Sequence, residues 1–155
     1  MCRPTSITAT PTASISELKE YTVTIHAAGT FEVKMTPQPA DDTGEAGAFG
    51  RFFLDKQFHG DLEGTSKGQM LGATTIEGSG GYVALERITG TLNGRKGSFI
   101  LQHKGSMSGG SFNLDINTVP DSGTDGLEGV SGQFKIIIEG GKHSWEFDYD
   151  LPDTP

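Results

Sequence analysis

Three tight-turn signals in the second half of the chain constrain its fold most strongly. Asn93-Gly94, Gly109-Gly110 and Gly140-Gly141 each separate two segments in which apolar and polar residues alternate. Asn and Gly tolerate the positive φ angles of two-residue hairpin turns, which connect antiparallel strands. A two-residue loop also sets the register, because the residues on its two sides become direct neighbours. The chain is therefore predicted to be an antiparallel β protein.

These registers assign each residue of the hairpins to one of two faces. Counting back from Asn93-Gly94 places Glu86 opposite Leu101 and Ala84 opposite His103, so Glu86 and His103 are diagonal neighbours. A four-residue loop would place the two directly opposite each other, whereas an odd-numbered loop would separate them. The inner face predicted from the three turns is mainly apolar, with Glu86 and His103 as its interior polar residues and His143 near a rim. It also contains Phe99, Leu101, Met107, Phe112, Leu114, Ile116, Phe134, Ile136, Ile138, Trp145, Phe147 and Tyr149.

Further alternating segments in the first half bring the expected number of strands to about eight. A closed antiparallel barrel buries one face and removes exposed edges, and a two-sheet sandwich is the alternative. A barrel of this size is either filled by side chains or just wide enough for one small ligand. The segment "PDSGTDGLEGVSG" is predicted to cross one barrel end with a short helical turn near residues 124–130. Leu127 and Val130 would then plug that end.

The predicted domain organisation is one barrel between two tails. Residues 1–22 are rich in Ser, Thr, Ala and Pro and are expected to form a flexible N-terminal tail with a short helical segment at "SISELKEY". Residues 23–151 form the single β-barrel domain, with a long loop at "PQPADDTGEAGAFG" after the first strand. Residues 152–155 form a C-terminal tail.

Charge and cysteine content exclude several classes of partner. The chain has 20 acidic and 12 basic residues, a net charge of −8 and no basic run, which opposes binding to nucleic acid or an anionic membrane. Cys2 is the single cysteine, so no intrachain disulfide or Cys-rich zinc site can form. No stretch has the length of a membrane span and the N-terminus lacks the apolar centre of a secretory signal, so a soluble, cytoplasmic protein is expected.

No metal or cofactor is predicted. The four histidines, His26, His59, His103 and His143, lie on separate predicted elements without close ligand spacing. The glycine-rich segments "GSGG" and "GQMLG" lack the strand-to-helix context of a phosphate-binding loop.

Glu86 and His103 are the catalytic residues that the pattern suggests. Burial in an apolar face raises the pKa of a carboxyl group toward neutrality, where proton transfer is useful. The alternative is structural: Glu86 satisfies an interior Arg or Tyr hydroxyl, and His103 is a core histidine. The residues predicted to line a ligand cavity are Tyr82, Phe99, Leu101, Phe112, Trp145 and Tyr149, although large inward aromatics also simply fill space.

Several segments resemble an uncharacterised family of small bacterial proteins whose barrel is akin to allene oxide cyclase. They are "GTFEVK", "GDLEG", "YVALERITGTLNGRKGSFILQHKG", "SGTDGLEGVSG" and "FDYDL", and the resemblance spans residues 27–151. It implies an antiparallel barrel of the allene-oxide-cyclase type, self-association, a central cavity and no established reaction. Allene oxide cyclases orient a fatty-acid epoxide in an apolar barrel without a cofactor, but none of their catalytic residues aligns onto this chain.

Two functions of different classes follow. The first is a barrel that binds a small, mostly apolar molecule, with cofactor-independent isomerase or cyclase chemistry at Glu86 and His103. The second is a non-catalytic structural or protein-interaction module with a filled core. The sequence leaves open whether the protein is an enzyme. Val83, Leu85 and Ile100 also make the outer face of the central hairpin unusually apolar, which predicts a subunit interface in a homodimer or homotrimer.

Overall fold

Eight antiparallel strands form a closed barrel in the computed structural model, which describes residues 23–39 and 49–153. Each strand pairs with the next along the chain, and the first pairs with the last to complete the closure. This confirms the predicted barrel and excludes the sandwich. The strands are β1 (Ile25–Gln38), β2 (Phe49–Gly60), β3 (Leu62–Thr74), β4 (Gly80–Leu92), β5 (Arg95–Ser108), β6 (Ser111–Thr118), β7 (Ser131–Glu139) and β8 (Lys142–Asp150).

The three glycine turns set the register as predicted. Both central residues of each turn have positive φ, for example 46° at Asn93 and 83° at Gly94, as type I′ turns require. Leu92 consequently pairs with Arg95, and Ala84 with His103. The corresponding registers across the β5–β6 and β7–β8 turns are also confirmed.

Some predictions fall on parts of the chain outside the described residues. These are the N-terminal tail with its short helical segment, most of the loop after β1, and the last two residues of the C-terminal tail. Within the described ranges, no helix is long and apolar enough to cross a membrane.

The barrel has two unlike ends. We call the end where β2, β4, β6 and β8 begin the mouth, and the opposite end the base. The loop between β6 and β7 covers the base with a 3-10 turn at Asp125–Leu127, and Leu127 and Val130 are buried in the core. Hydrogen bonds to β5 hold this loop, since the Thr124 amide donates to the Ser98 carbonyl at 2.8 Å. The predicted plug is confirmed.

Aromatic side chains fill the interior towards the base. Their ring centroids lie 4.9 to 6.3 Å apart, in both stacked and edge-on arrangements. The polar atoms of the two largest are satisfied: the Trp145 Nε1–H donates to the Thr30 carbonyl and the Tyr149 hydroxyl accepts from Asn93 Nδ2. These rings are buried and pack against one another. The members are Phe58, Phe99, Phe134, Trp145, Phe147 and Tyr149.

Inward residues near the mouth are not part of that core. Met107 and Phe112 lie on the inward-facing side of their strands, as predicted, yet they are 38% and 58% exposed. Ile138, at the end of β7, is exposed as well. The strands extend beyond the aromatic layer here, so Met107 and Phe112, which were expected to be core, line the opening instead.

Candidate functional site

A buried polar cluster lies between the aromatic core and the mouth. Four successive strands each contribute one inward side chain: Lys56 from β2, Ser66 from β3, Glu86 from β4 and His103 from β5. The Glu86 carboxylate accepts from Lys56 Nζ and Ser66 Oγ at 2.9 and 2.5 Å. His103 Nε2 lies 2.9 Å from the same carboxylate. The diagonal contact predicted between Glu86 and His103 is therefore made.

The surroundings of Glu86 keep it ionised. Burial alone would raise the pKa of this carboxyl group, but the hydrogen bond to His103, the charge of Lys56 and the hydrogen bond from Ser66 together lower its pKa to about 2. The expectation of a pKa near neutrality is wrong, because it counted desolvation without these donors. A carboxylate of this kind is suited to orienting and stabilising His103 rather than to exchanging protons itself.

Lys56 and Ser66 are the members of the cluster that sequence reasoning missed. An interior Arg or Tyr hydroxyl was the expected partner of Glu86, and Lys56 with Ser66 takes that place. The ammonium group also lies 5.1 Å from the centre of the Phe31 ring and 5.9 Å from that of Phe58, where cation–π attraction supports it. The sequence does contain a pattern that indicates the inward position of Lys56. Leu54, Lys56 and Phe58 are alternate residues of β2, so their side chains point to the same face.

Tyr82 connects the cluster to the mouth. Its hydroxyl oxygen lies 3.4 Å from Nδ1 of His103. Burial, followed by the charge of Glu86, raises the pKa of Tyr82 to about 12, so the phenol is neutral. When His103 donates its Nε2–H to Glu86, its Nδ1 is an acceptor for the Tyr82 O–H. The result is a chain of polar contacts from Tyr82 through His103 to Glu86.

The mouth itself is a cavity of about 370 Å³. Tyr82 forms part of its wall, and its ring lies close against the backbone of Gly105, where any Cβ would collide with the ring. The larger side chains around Tyr82 are apolar. They are Phe52, Met70, Met107 and Phe112.

The residues predicted to contact a ligand separate into two groups. Tyr82 and Phe112 line the mouth. Phe99, Leu101, Trp145 and Tyr149 are buried in the packed interior and are not in the mouth lining. In the described ranges, no three His, Cys, Asp or Glu side chains are grouped in a way that could hold a metal ion.

Fold and site together define a small antiparallel barrel whose mainly apolar mouth opens above a buried, charged cluster. Residues 27–149 match the sequence profile of DUF3224, described as a protein family of unknown function, and the chain belongs to this family. It is similar to the crystal structure of a DUF3224 protein of unknown function from Shewanella oneidensis MR-1, with 45% identity and a TM-score of 0.81. The similarity covers 85% of this chain and 100% of that one.

The resemblance to an uncharacterised family is thus confirmed, whereas the likeness to allene oxide cyclase stays a prediction. No curated protein matches the chain.

Proposed function

We propose that the barrel binds a small, mostly apolar molecule in its mouth, with one polar group of the ligand against the Tyr82 hydroxyl. The observation that carries this proposal is the mouth cavity of about 370 Å³, apolar apart from a few polar groups and connected through Tyr82 to buried charge. Small-molecule sites are typically concave, of about 300–1,000 Å³, and lined by apolar side chains with a few polar groups that orient the ligand.

Tyr82 is suited to orient such a ligand. Its neutral phenol donates one hydrogen bond and accepts others, so it can bind a ligand carbonyl or hydroxyl. His103 restrains the Tyr82 hydroxyl, and Glu86 restrains His103. Because Glu86 and His103 are buried beneath Tyr82, they act as positioning residues in this proposal, and Tyr82 makes the contact.

The same contacts support cofactor-independent isomerisation as an extension of binding. Tyr82 would accept a proton from the ligand while its own O–H proton moves to Nδ1 of His103. The imidazolium that forms would be stabilised by the Glu86 carboxylate, whose low pKa keeps it ionised. Return of the proton to a different ligand atom completes an isomerisation or starts a cyclisation, with no net gain or loss of protons.

A non-catalytic module with a filled core is the second candidate. The aromatic packing towards the base favours it, since Phe99 and Phe147 are buried and stack at 5.5 Å between centroids.

Binding of nonanone and nonanol, measured by thermal shift and calorimetry, separates the two candidates. We expect both compounds to stabilise the wild-type protein, and Tyr82→Phe to weaken nonanol binding about tenfold, which is the loss of one good hydrogen bond. Tyr149→Phe is the matched control, because it removes a hydroxyl bonded to Asn93 rather than one at the mouth. Binding that is absent, or equal in wild type and Tyr82→Phe, would favour the filled module.

Proton transfer has a separate readout. In D₂O, the protein should accelerate deuterium incorporation at the carbons next to the nonanone carbonyl, and His103→Gln should abolish this acceleration while nonanone still binds. If nonanone binds but deuterium incorporation is not accelerated, the protein binds the ligand without catalysing isomerisation, and the catalytic part of the proposal is wrong.

A further inference from the structure

A larger concavity lies on the outside of the barrel wall. It has a volume of about 1060 Å³ and crosses the outer face of β2, β3, β4 and β5; we call it the outer groove. The side chains of Phe53, Leu71, Val83 and Leu85 line it, and Val83 and Leu85 are 53% and 56% exposed. Clustered exposed apolar side chains of this kind mark binding surfaces. The groove lies on the outside of the wall and the mouth inside the barrel, and Met70 lines both.

A row of charged side chains crosses one part of this face. In the strand register, Lys34 on β1 lies opposite Asp55 on β2, and Asp55 lies opposite Lys67 on β3. Lys67 in turn lies opposite Arg87 on β4. All four are exposed, so the row contains three cations and one anion. Asp55, Lys67 and Arg87 lie in the groove lining itself.

Lys67 and Arg87 are the unusual members of this row. They lie directly opposite each other, an arrangement in which like charges oppose strand pairing. Neither forms an ion pair with any carboxylate of the described residues. In a chain with a net charge of −8, two adjacent cations that form no ion pair within the described ranges, with Asp55 as the one acid of their row, create a local site for an anion.

We propose that the outer groove binds a free amphipathic anion, a molecule with a carboxylate or sulfate head and an alkyl body. Lys67 and Arg87 would bind the head. The alkyl body would follow β4 over Leu85 towards Val83, because outward residues alternate along the strand. The path from Arg87 to Val83 covers four residues, about 13 Å, which suits an alkyl chain of medium length.

The charges favour this ligand over a second copy of the chain. A two-fold contact uses the same patch on both subunits. Such a contact would bring Lys67 and Arg87 of both copies into one interface, with the two Asp55 carboxylates as the acids of the same row. A small anion neutralises the cations instead. The subunit interface predicted at Val83, Leu85 and Ile100 is therefore an alternative outcome of the test.

Calorimetric titration with monomeric dodecanoate tests the proposal. We expect the wild-type protein to bind, Lys67→Gln/Arg87→Gln to bind at least about tenfold more weakly, and added NaCl to weaken wild-type binding because it screens exposed charges. Lys135→Gln/Lys142→Gln is the matched control. It removes the same charge from β7 and β8, outside the groove, and should bind as the wild type does. Dodecanol has the tail without the charge and, like nonanol, can bind in the mouth, so its binding should be unchanged in Lys67→Gln/Arg87→Gln.

Two further variants locate the bound molecule. Leu85→Ser should weaken dodecanoate binding and Tyr82→Phe should not, because Tyr82 faces the mouth. The proposal is overturned if dodecanoate does not bind, if the groove double variant weakens dodecanol as much as dodecanoate, or if that variant retains full affinity for dodecanoate. Loss of binding in Tyr82→Phe would place the amphiphile in the mouth and also overturn it. A dimer that dissociates on Leu85→Ser and does not bind dodecanoate would assign the groove to a second copy.

Discussion

At the scale of single residues, Lys56 and Glu86 form a buried ion pair in the interior. Both side chains are almost fully buried, and each is the other's oppositely charged partner. Removing one member of such a pair leaves an uncompensated buried charge, whereas replacing both by neutral groups costs much less. Losing one member of the pair should therefore cost more than losing both.

Glu86→Gln should lower the free energy of unfolding by about 3–5 kcal/mol, because Lys56 loses its anion and remains buried. Urea denaturation at neutral pH measures the change. Glu139→Gln, at an exposed position beside a turn, is the control and should stay within about 0.5 kcal/mol of wild type. Adding Lys56→Met to Glu86→Gln should recover part of the loss. If the loss of unfolding free energy in the double variant equals the sum of the losses in Lys56→Met and Glu86→Gln, the two residues are not coupled.

The same carboxylate makes stability depend on pH. The pKa of Glu86 is about 2 in the folded protein and 4.5 as its ordinary value. A lowered pKa stabilises the fold above the unfolded value, and this contribution is lost as pH falls from about 4.5 to about 2. The stability difference between wild type and Glu86→Gln should thus be largest at neutral pH and shrink in that acid range. Urea midpoints of both proteins across the range check this, and a constant difference would show that Glu86 titrates normally.

At the scale of strands, the alternation along β7 separates the core from the solvent face. Phe134 is buried and stacks on Trp145 with 5.5 Å between ring centroids, whereas its neighbour Gln133 is exposed. Phe134→Ala should cost about 3–5 kcal/mol because it leaves a cavity. Gln133→Ala should stay within about 0.5 kcal/mol. Chemical denaturation of both variants is the measurement, and equal losses would be incompatible with the inward position of Phe134.

Hairpin registers could be predicted because they depend on neighbouring residues alone. The Asn93-Gly94 turn brings Glu86 and His103 together without any knowledge of the other strands. Lys56 could not be placed in the same way, since β2 meets β4 only across β3, and neither the β2–β3 nor the β3–β4 connection is a two-residue hairpin turn. The pKa of Glu86 was mispredicted for the same reason: desolvation follows from the local pattern, while the compensating cation comes from a strand 30 positions away.

At the scale of the whole molecule, the two ends of the barrel differ in packing. The base is plugged by Leu127 and Val130 over an aromatic core, and the mouth is open above Tyr82. The sequence predicts which residues point inward, but strand length and position in the barrel decide whether they pack. Phe99 and Phe112 both lie on the inward-facing side of their strands, yet Phe99 is fully buried and Phe112 borders the mouth.

This difference predicts uneven stability along β5, which runs from the base to the mouth. Near Met107 the strand is hydrogen-bonded to β4 and β6, whereas before Leu101 it has a strand partner in β4 and the plug loop on its other side. If hydrogen bonding set local stability, the mouth end would be the more stable. The packing predicts the opposite order of local stability, because Phe99 and Leu101 are buried and Met107 is 38% exposed. Regions with few buried apolar contacts open more readily.

Native-state amide hydrogen exchange should therefore be at least about tenfold faster around Met107 than around Phe99. Equal protection along β5 would mean that the barrel opens only as a unit, and faster exchange at Phe99 would show that the plug does not hold the base.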